Sequence, residues 1–307
     1  MKYVVSGYIG FDNFGDEAIA HILSQKLKAS GAEKVTLISS NPEKTSKLYD
    51  VFSCGMLGFL PSLLDADVLI SGGGSLLQDV TSFKSLMYYL AVIYSAVILG
   101  KKVEIFAQGI GPINSAIGQF LTKIALKKAE KISVRDKKSQ ELLKSWNIES
   151  ELVKDPVFDI ELPHKNRKGM VGVQLRSFRG VDDSFIQKLA VEVSKNFPDK
   201  KIVLISLQDK TDLGVCEQFA RELKNRGIND IEIVSGLDVK GATDVISNLE
   251  YLIAMRFHAN VVGIKAGVKI LAINYDPKVE NLVQEYNLPF INLSDDDFTE
   301  QFEHLCD

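Results

Sequence analysis

Chemistry in this sequence concentrates where short apolar runs end in arginine. The run Tyr251–Ala254 is followed by Met255-Arg256-Phe257-His258-Ala259-Asn260, where helical periodicity begins, and the run Val171–Leu175 leads into Arg176, then Ser177 and Arg179. An arginine presents a planar fork of N–H donors that matches a carboxylate or phosphate. A helix N-terminus beside it adds backbone donors and a favourable dipole. The chain has only seven arginines, so two at strand ends read as an anion site. His258 is the histidine beside that site and can serve as a proton donor near neutral pH; the plainer alternative is a helix cap or a packed side chain. His21, His164 and His304 lie on the first helix, in a linker and near the end. Lys278, in Asn274-Tyr275-Asp276-Pro277-Lys278 after the next strand, is either a further cation for the same anion or a solvated helix-start lysine.

Two glycine-rich segments form the second group. Gly7-Tyr8-Ile9-Gly10-Phe11-Asp12-Asn13-Phe14-Gly15-Asp16-Glu17 follows the first strand, and Gly72-Gly73-Gly74-Ser75-Leu76-Leu77-Gln78-Asp79 follows the third. The first reads either as a strained turn with Asp16 and Glu17 capping the next helix, or as a substrate loop in which Asn13 contacts substrate and Asp16 or Glu17 is a base. Glycines in the second, Gly73 and Gly74 above all, allow close backbone approach by a ligand. Neither segment has the GxGxxG spacing of a dinucleotide site, and Leu77 stands where a serine-nucleophile elbow needs glycine. Gln108-Gly109-Ile110-Gly111-Pro112 is a third turn, equally readable as scaffold or ligand contact. The acidic pair Asp65-Ala66-Asp67 precedes its strand, on the wrong side for a metal site, and is set aside.

These residues must be positioned by elements that alternate along the chain. Strands are predicted at Tyr3–Ser6, Val35–Ile38, Val68–Ser71, Val103–Ala107, Ile132–Arg135 and Glu151–Lys154, then at Val171–Leu175, Ile202–Ser206, Ile231–Val234, Tyr251–Ala254 and Lys269–Ile273. Helical periodicity fills the gaps. It starts at Asp16, at Asn41-Pro42 (cap and first helical residue), from Asp136 to Trp146, and from Asp295 to Leu305 with an acidic first turn. Strand–helix alternation implies parallel sheets covered on both faces. The polar, basic stretch Leu162–Gly169 breaks the pattern, dividing the chain into Rossmann-like domains at residues 1–160 and 169–307. The predicted class is α/β, two doubly wound domains facing a cleft in which strand-end residues meet ligand.

A composition of 46% hydrophobic and 25% charged residues is that of a folded chain. The net charge of −4 gives no reason to expect nucleic acid. Cys54, Cys216 and Cys306 are widely spaced, which argues against a disulfide framework or a thiolate metal site. The first residues read as a strand rather than a signal peptide, so a cytoplasmic location is expected. Ser85–Gly100 is uncharged but, at sixteen residues, shorter than the roughly 20 a spanning helix needs. It is predicted to be a helix buried on most sides, with a face resting on the inner membrane surface as the alternative.

The segments Gly10–Glu17, Gly72–Asp79, Gln108–Pro112, Arg135-Asp136, Asp155-Pro156 and Arg256–Ala259, in this order over nearly the whole chain, resemble the polysaccharide pyruvyl transferase family, in particular its bacterial cell-surface anchoring type. The resemblance implies the two-domain GT-B glycosyltransferase architecture. It also implies phosphoenolpyruvate as donor substrate, with no cofactor or metal demanded. The implied acceptor is a sugar, an N-acetylmannosamine unit of a lipid-linked cell-wall polymer precursor. In the family's pattern Arg256 and the backbone at Phe257 hold the donor, and His258 is the general acid. Arg176 would be the second donor arginine, although its flanking residues match loosely. The N-terminal domain would then take the acceptor and the C-terminal domain the donor, with Asp16 as candidate base. A nucleotide-sugar glycosyltransferase would use the same arginines and histidine for a diphosphate, and a non-catalytic anion or sugar binder is the third alternative.

Overall fold

The computed structural model describes residues 1–163 and 169–306. Most of the predicted linker, His164 included, lies outside the described residues. Two compact units are present, Met1–Asp159 and Ile160–Asp307.

The first unit is built on a seven-stranded parallel sheet. Its strands are β1 (Lys2–Ser6), β2 (Lys34–Ile38), β3 (Phe52–Cys54), β4 (Val68–Ser71), β5 (Lys102–Gln108), β6 (Lys131–Val134) and β7 (Glu151–Leu152), in the order β3-β2-β1-β4-β5-β6-β7. The helices are α1 (Phe14–Ala29), α2 (Pro42–Tyr49), α3 (Met56–Asp65), α4 (Phe83–Ile98), α5 (Ala116–Leu126) and α6 (Lys137–Ser145), before a 3-10 turn at Pro156–Asp159. Strand side chains alternate between faces. Val5, Val35, Leu37 and Ile70 pack on Ala20, Leu23 and Leu27 of α1, whereas Val4, Leu69, Val103 and Ile105 pack on Phe59, Leu63, Leu86, Leu90 and Ile93. Right-handed crossovers toward β3 put α1 and α2 on the first face, and those returning across β4 to β7 put α3 to α6 on the other. Burial on both faces is why these strands read as unbroken apolar runs.

The second unit repeats the plan with six parallel strands. They are β8 (Val171–Gln174), β9 (Ile202–Ile205), β10 (Ile231–Val234), β11 (Tyr251–Ala254), β12 (Lys269–Asn274) and β13 (Phe290–Asn292), in the order β10-β9-β8-β11-β12-β13. The helices are α7 (Asp183–Asn196), α8 (Asp209–Asn225), α9 (Val239–Ser247), α10 (Phe257–Ala266), α11 (Pro277–Tyr286) and α12 (Thr299–Cys306). Its core joins Val173, Leu204, Ile253 and Leu271 of the sheet to Phe185, Phe219, Phe298 and Phe302.

Several expectations need correction. The first helix begins at Phe14, not Asp16, because the Asn13 side chain is the cap and accepts the Gly15 N–H at 3.1 Å. The last helix begins at Thr299 rather than Asp295. Asp295 turns back to accept the Asn292 N–H at 2.7 Å, and Asp297 accepts the Thr299 N–H at 3.0 Å. The acids thus stand before the helix instead of in its first turn. β3 and β13 are sheet-edge strands of three residues each, too short to show a period. The uncharged run lies in α4, which starts earlier, with Phe83 and Lys84, and is capped by the Ser82 hydroxyl. It is covered on most sides, as expected: of residues 85–100 only Ala91, Ile98 and Gly100 are exposed, Ile98 at 81%. As an outer layer on one face of the sheet, it has a solvent side. Among the described residues no helix is long and apolar enough to cross a membrane.

Candidate active site

In the second unit the chain leaves β8 toward one sheet edge, through β9 and β10, and leaves β11 toward the other, through β12 and β13. The carboxyl ends of β8 and β11 therefore flank the switch point, where open α/β sheets leave a ligand crevice. Gln174 and Ala254 are register partners at the ends of these strands. Arg176 and Arg256 each follow two residues later and so project from adjacent positions. The Arg176 N–H approaches Met255 Sδ at 3.4 Å, and the Arg256 N–H donates to Gln174 Oε1 at 2.8 Å.

The two guanidinium groups have different surroundings. Arg256 is 8% exposed and grips Asp212, which is fully buried in the first turn of α8. Nε donates to Oδ2 at 2.8 Å and Nη2 to Oδ1 at 2.6 Å, with Nη2 also donating to Thr211 Oγ1 at 2.8 Å and Gln208 Oε1 at 3.1 Å. The same carboxylate accepts the N–H groups of Leu207 and Gln208, the Thr211 hydroxyl and the Gln174 amide. Such satisfaction is what makes a buried ion pair tolerable. Arg256 is therefore neutralised and oriented from within, with Nη1 the one guanidinium nitrogen lacking a hydrogen-bond partner among the described residues. Arg176 has no carboxylate partner among them. Its Nη1 meets the Tyr275 hydroxyl at 3.5 Å, its guanidinium lies 5.8 Å from the Tyr275 ring centre, and its buried Nε makes no hydrogen bond. A buried charged donor with no partner in the protein is one that an anion satisfies.

The helix α10 starts at the same point. Arg256 is its cap residue, without a side-chain cap bond, and Phe257 and His258 precede the first intrahelical donor, Ala259, whose N–H reaches Arg256 O at 3.0 Å. Asn260, fully buried, ties this turn to β11 by donating to Ala254 O and Arg256 O at 3.2 Å. The half-buried His258 ring stands edge-on to Phe257 at 5.1 Å. Lys278 is half-buried in the first turn of α11, where its N–H meets the Asp276 cap at 2.8 Å. Arg179 is exposed.

In the first unit the switch point lies between β1 and β4, and the two glycine segments flank it. A side chain at Gly73 would meet Ile19 Cγ2 at 2.8 Å, and one at Gly74 (φ +93°) would meet Asp16 Oδ1 at 2.7 Å. These glycines thus admit the protein's own α1, and Asp16 is held over the backbone of Gly74. Tyr8 and Tyr89 face the same carboxylate; burial first, and then Asp16, pushes both phenols above their usual range. Phe11, 47% exposed, stacks flat on Tyr8 with ring centres 4.1 Å apart. Glu17 turns inward, accepting the Gly10 N–H and the Tyr49 hydroxyl, each at 2.6 Å. It secures the loop from inside, which leaves Asp16 as the acid at the crevice.

The remaining motifs brace this arrangement. Gly109 N–H donates to Gly74 O at 2.8 Å and Gly111 N–H to Leu77 O at 2.8 Å. Asp79 accepts the N–H groups of Asn114 and Ser115, which hold its carboxyl below the usual range. Buried Arg135 and Asp155 form an ion pair, and Arg135 Nη2 reaches Ser75 Oγ at 3.3 Å. Asp65 pairs with Lys2 and Lys34 at 2.8 and 3.1 Å, away from the strand ends that carry the glycine loops. Among the described residues no three His, Cys, Asp or Glu side chains gather as a metal site.

Asp212, Gln174 and Tyr275 are participants not singled out by sequence. Gln174 carried a signal, an amide inside the apolar run Val171–Leu175. Asp212 carried none, since an acid in a helix's first turn needs no partner to explain it.

The family model for polysaccharide pyruvyl transferase matches residues 13–277. The chain belongs to this family. A polysaccharide pyruvyl transferase is a transferase, and the matched span takes in Asn13, Asp16, both glycine segments, Arg176, Arg256 and His258. No curated protein matches in sequence. Among solved structures, the UDP-GlcNAc 2-epimerase of Neisseria meningitidis bound to UDP-GlcNAc is similar with a TM-score of 0.69 at 12% identity, over 100% of this chain and 91% of the other. The UDP-GlcNAc 2-epimerase of Methanocaldococcus jannaschii gives 0.68 at 10% identity over 100% and 92%. An Anabaena protein in complex with UDP-glucose gives 0.59 at 11% over 100% and 89%. At these identities the likeness establishes the fold, which is GT-B-like with two Rossmann-like domains.

Proposed function

We propose that this pyruvyl transferase takes phosphoenolpyruvate as donor and forms a pyruvate ketal on a sugar, an N-acetylmannosamine unit of a lipid-linked cell-wall polymer precursor. The observation that carries the donor is Arg176, a guanidinium without a carboxylate partner among the described residues, beside the pre-oriented Arg256 at the head of α10. Phosphoenolpyruvate brings a carboxylate and a phosphate. Arg176, Arg256 Nη1, the first-turn N–H groups of α10 and Lys278 supply the complementary donors. His258 protonates the methylene carbon, which makes C2 electrophilic. A sugar hydroxyl attacks C2 and a second hydroxyl closes the ketal as phosphate leaves. Of the two hydroxyl protons, one replaces the proton given by His258 and the other departs with phosphate. Asp16 takes the first from the attacking hydroxyl and passes it through solvent to His258 in this reading, and Tyr8 and Phe11 offer a flat apolar face to a sugar ring.

A second reading draws on the solved structures of the same fold, several of which hold UDP or UDP-sugars. A nucleoside diphosphate would use the same cations. Incubation with phosphoenolpyruvate and an N-acetylmannosamine-containing lipid-linked acceptor separates the two. Phosphate release with a product heavier by one ketal is expected; turnover of a UDP-sugar with no ketal on any acceptor would overturn the donor assignment. His258→Ala is expected to lose turnover while retaining phosphoenolpyruvate binding by calorimetry. Unchanged turnover would remove His258 from the chemistry.

A further inference from the structure

The outward side of α3, α4 and α5 is apolar where a solvated face would be polar. These helices lie on one face of the first sheet, since Phe59, Leu63, Leu86, Leu90, Ala125 and Leu126 enter one core. Tyr88 and Met56 bridge α3 to α4 at 3.0 Å, and the Tyr94 hydroxyl reaches Leu121 O of α5 at 2.7 Å. On the opposite side of α3, Leu57 is 100% exposed, with Leu60 and Leu64 following at helical spacing. Ile98 is exposed on α4, and Ile117 and Phe120, at 66% and 64% exposure, are exposed on α5. Scattered apolar residues need no explanation, but three adjacent helices sharing such a face mark an interaction surface.

Charge decides the occupant. The protein carries −4 overall, yet α4 and α5 contain no acidic residue, and the one acid in α3, Asp65, is paired with Lys2 and Lys34. Lys84 at the start of α4 and Lys127 and Lys128 at the end of α5 are exposed and form no ion pair among the described residues. An apolar face edged by lysines matches an interface of acyl chains and anionic headgroups. A second copy of the chain, paired face to face, would set these lysines against their own equivalents. We infer that α3, α4 and α5 form a docking surface on which the first unit rests against an anionic lipid bilayer, without spanning it. The inference does not depend on the choice of donor.

Vesicle sedimentation tests it. The intact protein is expected to pellet with vesicles containing phosphatidylglycerol and to remain largely in solution with phosphatidylcholine alone. Lys84→Gln/Lys127→Gln/Lys128→Gln should weaken binding to the anionic vesicles by roughly a hundredfold, about fivefold per lysine near such a surface. A Leu57→Glu/Ile98→Glu/Phe120→Glu variant, with an unchanged circular dichroism spectrum and melting temperature, should no longer pellet. Two results would overturn the proposal. One is failure of the intact protein to pellet with anionic vesicles. The other is self-association in lipid-free solution that the glutamate variant abolishes while vesicle binding persists, which would assign the face to a second copy. Both are independent of catalytic turnover.

Discussion

Truncating Arg256 should do two things that a simple anion-site reading would confuse. The guanidinium makes two bonds to Asp212, at 2.8 and 2.6 Å, in a place where Asp212 is fully buried. Arg256→Ala therefore strands a carboxylate, and removal of one partner of a buried ion pair costs about 3–5 kcal/mol. Asp212 would retain the Leu207 and Gln208 N–H groups, the Thr211 hydroxyl and the Gln174 amide, so the lower end applies, about 3 kcal/mol. Asp212→Ala leaves a cation with only Gln208 Oε1 and Thr211 Oγ1 as acceptors, and the upper end applies, about 5 kcal/mol. At roughly 2–4 °C per kcal/mol for a domain of this size, melting should fall by about 6–12 °C and 10–20 °C respectively. The double variant should lose less than the sum, with a coupling of about 1–3 kcal/mol. Thermal unfolding of the four proteins gives the cycle, and calorimetry with phosphoenolpyruvate below the lowest melting temperature separates binding from folding. If Arg256→Ala melted within about 2 °C of the parent, or the two losses simply added, the pair would not be the structural unit described and the reasoning would fail.

Two further outcomes follow from the first unit. Burial raises the Glu17 carboxyl; a raised acid contributes its stability while protonated, below its ordinary value, and loses it as pH rises through the elevated one. Glu17→Gln should thus be as stable as the parent near pH 4 and gain on it toward pH 7, and a difference in melting temperature that stays flat over that range would exclude burial as the cause. Gly74→Ala combines a φ of +93° with a contact at 2.7 Å to Asp16 Oδ1, whereas Gly31→Ala combines a φ of +80° with open space. Both should lose about 1–2 kcal/mol to backbone strain, but only Gly74→Ala should also lower turnover, by displacing Asp16; equal turnover in the two variants would remove Asp16 from the site.

Much of this protein is written locally. Val171–Leu175 and Tyr251–Ala254 are legible as strands because parallel strands covered on both faces must be apolar throughout, and Asn41-Pro42 announces a helix because cap and fixed φ act within one turn. The arginine–histidine pair was equally visible, since it stands directly after its strand. β3 and β13 were not legible, because three residues at a sheet edge take their conformation from a neighbouring strand rather than from a pattern of their own. Nor was the narrow strip of α4 that meets solvent, at Ala91 and Ile98, since an uncharged run does not show which of its residues face a sheet and which face water. The sequence alone therefore determined the alternating α/β plan, the strand-end candidates and the family resemblance. Tertiary structure decided which strand ends are neighbours, that Arg256 is satisfied by Asp212 from 44 residues away while Arg176 is not, and that Gly73 and Gly74 make room for Ile19 and Asp16. The reason is that a charge's partner is set by the order of strands in the sheet, and that order brings together residues between which local propensity carries no information.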